Sequence, residues 1–243
     1  MSGHSKWHNI QAKKGKTDAA RGKIFTKIGR EIAVCVKQGG PDPNTNSKLR
    51  DIIAKAKENN MPNDNIERSI KKASGELGGV NYEAQTYEGY GVGGSAVIVE
   101  CLTDNKNRTA GDVRHAFDKH GGALGNNGCV SYLFKNKGIV LVVDAQDVET
   151  LMLDAIEAGA IDVEEGEDSV EIFTEPNKHG LMREELEKKG YNVVSADTEL
   201  VPDLYVDLDA DQLSKFQRMI DDLEDLDDVQ EVYHNVNLPE EDE

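Results

Sequence analysis

The apolar residues of this chain change from a purely helical period to one that includes strands near residue 80, and that change limits what it can fold into. From Thr17, a plausible helix N-cap, Ile24, Phe25, Ile28, Ile32 and Val36 recur at three- and four-residue steps until Gly39-Gly40, which predicts a long amphipathic helix. Leu49, Ile52, Ile53 and Ala56 predict a second helix, and Ile66 with Ile70 a third that begins after Pro62-Asn63. Beyond a glycine-rich linker at 75–80 the apolar residues alternate instead, which is the signature of strands. Strands are predicted over 84–90, 95–103 and 129–134, with a helix over 109–120. From 139 the order is strand, helix, strand, strand, helix, strand, ending at 196, which is the ferredoxin-like succession. A strand over 204–208, a helix over 211–226 and a strand over 229–236 then complete the β-β-α-β pattern that opened at 84.

The expected fold class is therefore α+β and multidomain, with an N-terminal helical domain and two ferredoxin-like α/β domains, one inserted in the other. The expected boundaries are 1–79 for the basic arm and helical domain, 80–136 with 201–243 for a discontinuous α/β domain, and 137–200 for the insert. A length of 243 residues suits more than one core.

Charge supplies the first indication of function. The net charge of −18 would by itself repel a polyanion. The distribution reverses that conclusion. Residues 1–80 hold 12 Lys and 4 Arg against 8 acids, a net of +8, while the other 163 residues carry 12 basic and 38 acidic side chains, a net of −26. Within the first 30 residues Lys6, Lys13, Lys14, Lys16, Arg21, Lys23, Lys27 and Arg30 are opposed only by Asp18. Such polarity points to an arm that meets nucleic acid or a membrane surface, and the absence of any 18-residue apolar run argues against a membrane. Three widely spaced cysteines, Cys35, Cys101 and Cys129, fit neither a disulfide framework nor a zinc ribbon, so a reducing, cytoplasmic setting is expected. The acidic runs 164–168 and 221–228 read as solvated faces and helix ends.

Catalytic signatures do not survive inspection. Gly89-Tyr90-Gly91-Val92-Gly93-Gly94 matches the dinucleotide pattern in form, but a strand follows it where a helix N-terminus would be needed, so a hairpin turn is expected. His4 with His8 and His115 with His120 lack the spacing of a metal site. Cys101 and Cys129 fall in predicted strands and read as buried small hydrophobes. No enzyme, no cofactor, no metal and no small-molecule substrate is expected.

The basic arm and first helix, with His4, Lys6, Trp7, Lys13, Lys14, Lys16, Arg21, Lys23, Lys27 and Arg30, form the candidate nucleic-acid contact, since cations neutralise phosphates and release counterions whatever the base sequence. Trp7, the only tryptophan, either stacks on a base or anchors the arm to a helix. Asn105, Lys106, Arg108 and Arg114 form a second candidate contact where a strand ends and a helix begins, although capping alone would account for Asn107 and Thr109.

Several of these stretches are similar to a known family. Gly3-His4-Ser5-Lys6-Trp7-His8-Asn9-Ile10, Arg21 to Lys27, Met61 to Arg68, Tyr87 to Gly91, Thr103 to Arg108 and Val113 to Phe117 occur in the order of the YebC/PmpR family, and the resemblance spans the chain. His8 and Gln11-Ala12 depart from the pattern, which touches the fine contacts of the arm more than its charge. The resemblance implies three domains, the third inserted into the second. It also implies a DNA-binding transcriptional regulator, with mitochondrial relatives that activate translation and a ribosome-associated role that relieves stalling. The expected function is thus a non-enzymatic, DNA-binding regulator of transcription. The alternatives are a translation factor that binds ribosomal RNA on the ribosome, and a protein-protein adaptor whose basic arm docks an acidic partner.

Overall fold

The computed structural model describes residues 18–75, 80–166 and 168–238. It divides the chain into two compact units, one formed by 18–131 with 210–234 and the other by 132–209 with 235–238.

The first unit opens with three helices, α1 (Asp18–Gly39), α2 (Ser47–Glu58) and α3 (Asn63–Ala73). The apolar stripe predicted for α1 is the one that is buried. Ile28, Ile32, Cys35 and Val36 pack with Leu49, Ala56, Met61 and Ile66 into a core, with Ile24, Phe25, Ile52, Ile53 and Ile70 around it. Burial of each large aliphatic side chain contributes about 1.5–3 kcal/mol. One buried polar residue fixes the corner between the first two helices. Asn46 caps α2 by accepting from the Leu49 N–H, and its Nδ2 donates to the Cys35 and Gly40 carbonyls at 2.9 Å each, so the end of α1 and the start of α2 share one side chain.

The same unit continues as a four-stranded antiparallel sheet in the order β3-β1-β2-β8, built from β1 (Glu83–Tyr90), β2 (Ala96–Thr103), β3 (Ala123–Leu124) and β8 (Val229–His234). Helix α4 (Lys106–Lys119) packs on β1 and β3, and helix α7 (Ala210–Glu224) packs on β8 and against α4. Thr109, Val113, Ala116 and Phe117 of α4 and Phe216, Met219 and Leu223 of α7 are the buried side chains of these helices. The glycine run between β1 and β2 is a hairpin connection, as expected from the strand that follows it, and Gly93 and Gly94 turn the chain at φ +66° and +76°.

The second unit has the ferredoxin-like order, β4 (Phe134–Val143), α5 (Val148–Glu157), β5 (Asp162–Glu165), β6 (Ser169–Thr174), α6 (His179–Lys188) and β7 (Asn192–Pro202). Its sheet runs β5-β6-β4-β7 and is antiparallel throughout. Val140, Val142, Val170 and Ile172 meet Leu151, Ala155, Met182 and Leu186 in the core between sheet and helices. Seven α-helices and two separate antiparallel sheets among the described residues make the fold α+β, as the change of period predicts.

Two predicted strands are absent. Of the predicted strand 129–134 only Phe134 pairs, as the first residue of β4; 129–133 do not, because the Gly128, Val130 and Ser131 N–H groups donate instead to the buried Glu88 carboxylate at 2.8, 3.0 and 2.8 Å. The segment forms a loop and a 3₁₀ turn over Ser131–Leu133, Cys129 lies in that loop, and the short β3 takes the sheet edge. The predicted strand at 204–208 reduces to a single parallel bridge between Val206 and Val236, since β7 stays paired with the ten-residue β4 as far as Pro202.

Candidate nucleic-acid interface

Three of the basic residues on α1 turn toward the folded unit. Lys23, Lys27 and Arg30 follow one another at steps of four and three, so they share a helix face. That face meets the end of α7 and the turn behind it. Lys23 Nζ lies 2.7 Å from Asp225 Oδ1, Lys27 Nζ donates to the Glu224 carbonyl at 3.2 Å, and Arg30 donates to Asp228 Oδ1 and, at 3.1 Å, to the Leu102 carbonyl. The Lys27 contact also places a cation at a helix C-terminus, where the backbone dipole is negative. Arg30 further stacks over the Tyr82 ring, 5.3 Å from its centre.

Asp228 is the centre of this arrangement. Its side chain accepts from Thr109 Oγ1 at 2.6 Å, from Thr103 Oγ1 at 3.1 Å, and from Arg108 Nη2 at 2.8 Å, besides Arg30. It is only 6 % exposed. Burial alone would raise its pKa, but the hydrogen bonds from Thr109, Arg108 and Arg30 outweigh that and bring it down to about 2. A buried carboxylate is tolerable only when its lone pairs are met in this way. Asp228 therefore joins α1, β2 and α4 to the start of β8. The reading of 221–228 as a solvated run does not hold for it, nor fully for Asp222, which pairs with Lys119 at 2.6 Å and His120 Nε2 at 2.8 Å.

The second predicted cluster has the same character. Asn105 is the N-cap of α4 and accepts from the Arg108 N–H at 3.2 Å. Lys106 pairs with Glu83 at 2.5 Å, which lowers the pKa of that carboxyl. Arg108 bridges Asp104 and Asp228, and those two hydrogen bonds raise its own pKa. Arg114 is exposed on α4. Cys101 sits in β2 with burial pushing its thiol up to about 12, far from any nucleophilic role at neutral pH.

His4, Lys6, Trp7, Lys13, Lys14 and Lys16 lie outside the described residues. Of the other predicted contacts, Arg21 is exposed near the start of α1, while Lys23, Lys27 and Arg30 are engaged with 224–228. Sequence reasoning missed Asp228, and it also missed the exposed cations of the next two helices. Lys48, Arg50 and Lys57 on α2 and Arg68 and Lys72 on α3 are exposed and have no ion-pair partner among the described residues. Among the described residues, Lys71 on α3 pairs with Glu67 at 3.9 Å and Lys55 on α2 pairs with Glu31 at 2.9 Å.

The chain is similar to curated and solved proteins over almost its whole length. A probable transcriptional regulatory protein of Hathewaya histolytica is 59% identical over 242 residues, covering 99% of this chain and 98% of its own. Another of that name from Clostridium novyi is 57% identical over 243 residues, with 99% of each chain covered. The crystal structure of a conserved hypothetical protein, Aq1575, from Aquifex aeolicus superposes with a TM-score of 0.83 at 47% identity, covering 93% of this chain and 94% of that one. Residues 5–76 match the model of the TACO1/YebC N-terminal domain, and residues 82–236 match that of the TACO1/YebC second and third domain. The chain belongs to the TACO1/YebC family.

Proposed function

We propose that this chain is a non-enzymatic, cytoplasmic regulator of gene expression that binds double-stranded DNA through its phosphates. The names of its curated relatives, probable transcriptional regulatory proteins, support a regulator. The observation that carries the nucleic-acid reading is the group of exposed cations on α2 and α3, Lys48, Arg50, Lys57, Arg68 and Lys72, which have no carboxylate partner among the described residues and lie within the first 80 residues, whose net charge is positive. With Lys23, Lys27 and Arg30 occupied by 224–228, the phosphate-binding surface is assigned to these two helices, Arg21 and the arm. Asn105, Lys106, Arg108 and Arg114 keep a secondary place in it, because three of them already serve the fold.

Fluorescence anisotropy with a labelled 30-base-pair duplex tests this. Five engaged phosphates give a log-log salt slope of about −4.5 on duplex DNA. Alanine at Lys48, Arg50 and Lys57 together should reduce the slope by about 3 and leave the fold intact. Salt-independent binding, or binding indifferent both to this triple variant and to deletion of residues 1–16, would overturn the proposal and favour the adaptor. Ribosomal RNA is the second reading, supported by the fact that these cations address phosphate, which folded RNA also presents. Ultraviolet crosslinking in cells followed by sequencing separates promoter DNA from ribosomal RNA.

A further inference from the structure

The ferredoxin-like unit carries an apolar strip that its own core does not use. Helix α5 buries Leu151 and Ala155 against the sheet, yet Leu153 and Ile156 are 65% and 60% exposed, and Ile161, just before β5, is 60% exposed. The direction of this strip follows from the helix. Asp154 points toward α6 and β7, where Tyr191 Oη donates to it at 2.6 Å and Lys189 pairs with it. At about 100° per residue, Leu153 lies on the outward face of α5, opposite the buried Leu151 and Ala155, and Ile156 lies next to it, about 160° round from Asp154, on the flank turned away from α6. Helix α5 packs on β5, which is the edge strand of the sheet, so that flank overlooks the β5 edge where Ile161 also lies. Ile156 and Ile161 thus share the β5 margin of the unit, and Leu153 borders it on the outward face of α5.

The charge around them selects the occupant. Residues 132–209 hold 20 acids against 5 Lys and 1 Arg, a net of −14. Glu149 and Glu157 flank the strip on α5, and Asp162 and Glu165 follow it on β5, all four exposed. A nucleic acid, an anionic lipid surface or the same unit of a second copy would each bring like charge to this margin. We infer that the α5 and β5 margin, with Leu153, Ile156 and Ile161 as its apolar floor, is a docking surface for a basic protein segment that carries aliphatic anchors. The acids draw and orient such a segment, and the aliphatic contacts hold it. This surface is independent of the cations on α2 and α3 and stands whether or not those bind nucleic acid.

The test uses the full-length chain and a fluorescein-labelled 18-residue amphipathic peptide made only of leucine and lysine. The double variant L153S/I156S removes the apolar contacts without changing charge, and circular dichroism checks that it folds; Ile161→Ser gives a second reading outside α5. The expected result is saturable binding to the wild type, weakened about tenfold by L153S/I156S and less by Ile161→Ser. A matched peptide with glutamate in place of lysine should not bind. Equal binding to wild type and both variants would overturn the inference, since charge alone would then account for it. So would equal binding of the glutamate peptide, or a wild-type dimer in light scattering that L153S/I156S abolishes.

Discussion

Asparagine at Asp228 tests the account of how the first unit is held together. The substitution keeps the side-chain volume, removes the charge, and presents an amide donor to Thr103 and Thr109, which now donate to the carboxylate. Arg30, with a side chain 12% exposed, is left without its buried counter-charge, whereas Arg108, at 47%, returns to water at small cost. Removing one partner of a buried pair costs about 3–5 kcal/mol, and the escape of Arg108 places the expected loss near the lower end, about 3 kcal/mol. The pKa supplies a separate figure. A fall from 3.8 to about 2 is worth on the order of 2 kcal/mol. Because the folded pKa is depressed, that stabilisation is present above pH 4 and is lost as the pH falls toward 2. Guanidinium unfolding at pH 7, with hydrogen exchange read on peptides from α1 and β8, measures the loss and locates it. Repeating it between pH 4 and 2 should show wild type and D228N converging. A variant within about 0.5 kcal/mol of wild type, or one whose stability runs parallel to wild type across that interval, would refute the reasoning.

Other outcomes follow from the same contacts. Lys23→Ala should change stability by less than about 1 kcal/mol in a thermal melt, because its pair with Asp225 is exposed on both sides, at 43% and 73%. Glu88→Gln removes a carboxylate that three backbone N–H groups share; it should cost about 2 kcal/mol and speed proteolytic cleavage within 125–131, seen by mass spectrometry. Leu186→Ala, at a fully buried position between α6 and the sheet, should cost about 2–5 kcal/mol and raise exchange in β4 and β6 but not in α1. Asn46→Ala should cost about 1 kcal/mol or more, since the side chain caps α2 and also serves two carbonyls at the end of α1.

Much of the fold is legible because it rests on local periodicity. The stripe Ile28, Ile32, Val36 announces its helix within nine residues, and Val140 with Val142 shows a core-facing strand in the same way. The failures come from long-range competition for backbone groups. Residues 129–134 have strand composition, but Glu88, some forty positions earlier, takes their N–H groups, and no local pattern signals that. The site divides likewise. Asn105 and Arg108 stand out in a polar run at a strand-helix junction, yet their shared partner Asp228 is 120 positions from Arg108 and sits among acids that are mostly exposed. Lys23, Lys27 and Arg30 read as one basic face with the arm, because sequence proximity shows charge and not direction.

The distance along the chain between Arg30 and Asp228, 198 residues, sets a timetable for the newly made protein. At roughly 5–20 residues per second of synthesis, about 10–40 s separate the emergence of the arginine from that of its acid. Strand β2 waits about 6–27 s at the same rate for β8, which pairs with it from Val97 to Cys101. During that interval α1 has no acid turn beside it, and Lys23, Lys27 and Arg30 present their charge outward. Completion of the last strand is what turns that face inward, so a chain cut short before 224 would display a more basic first helix than the finished molecule does.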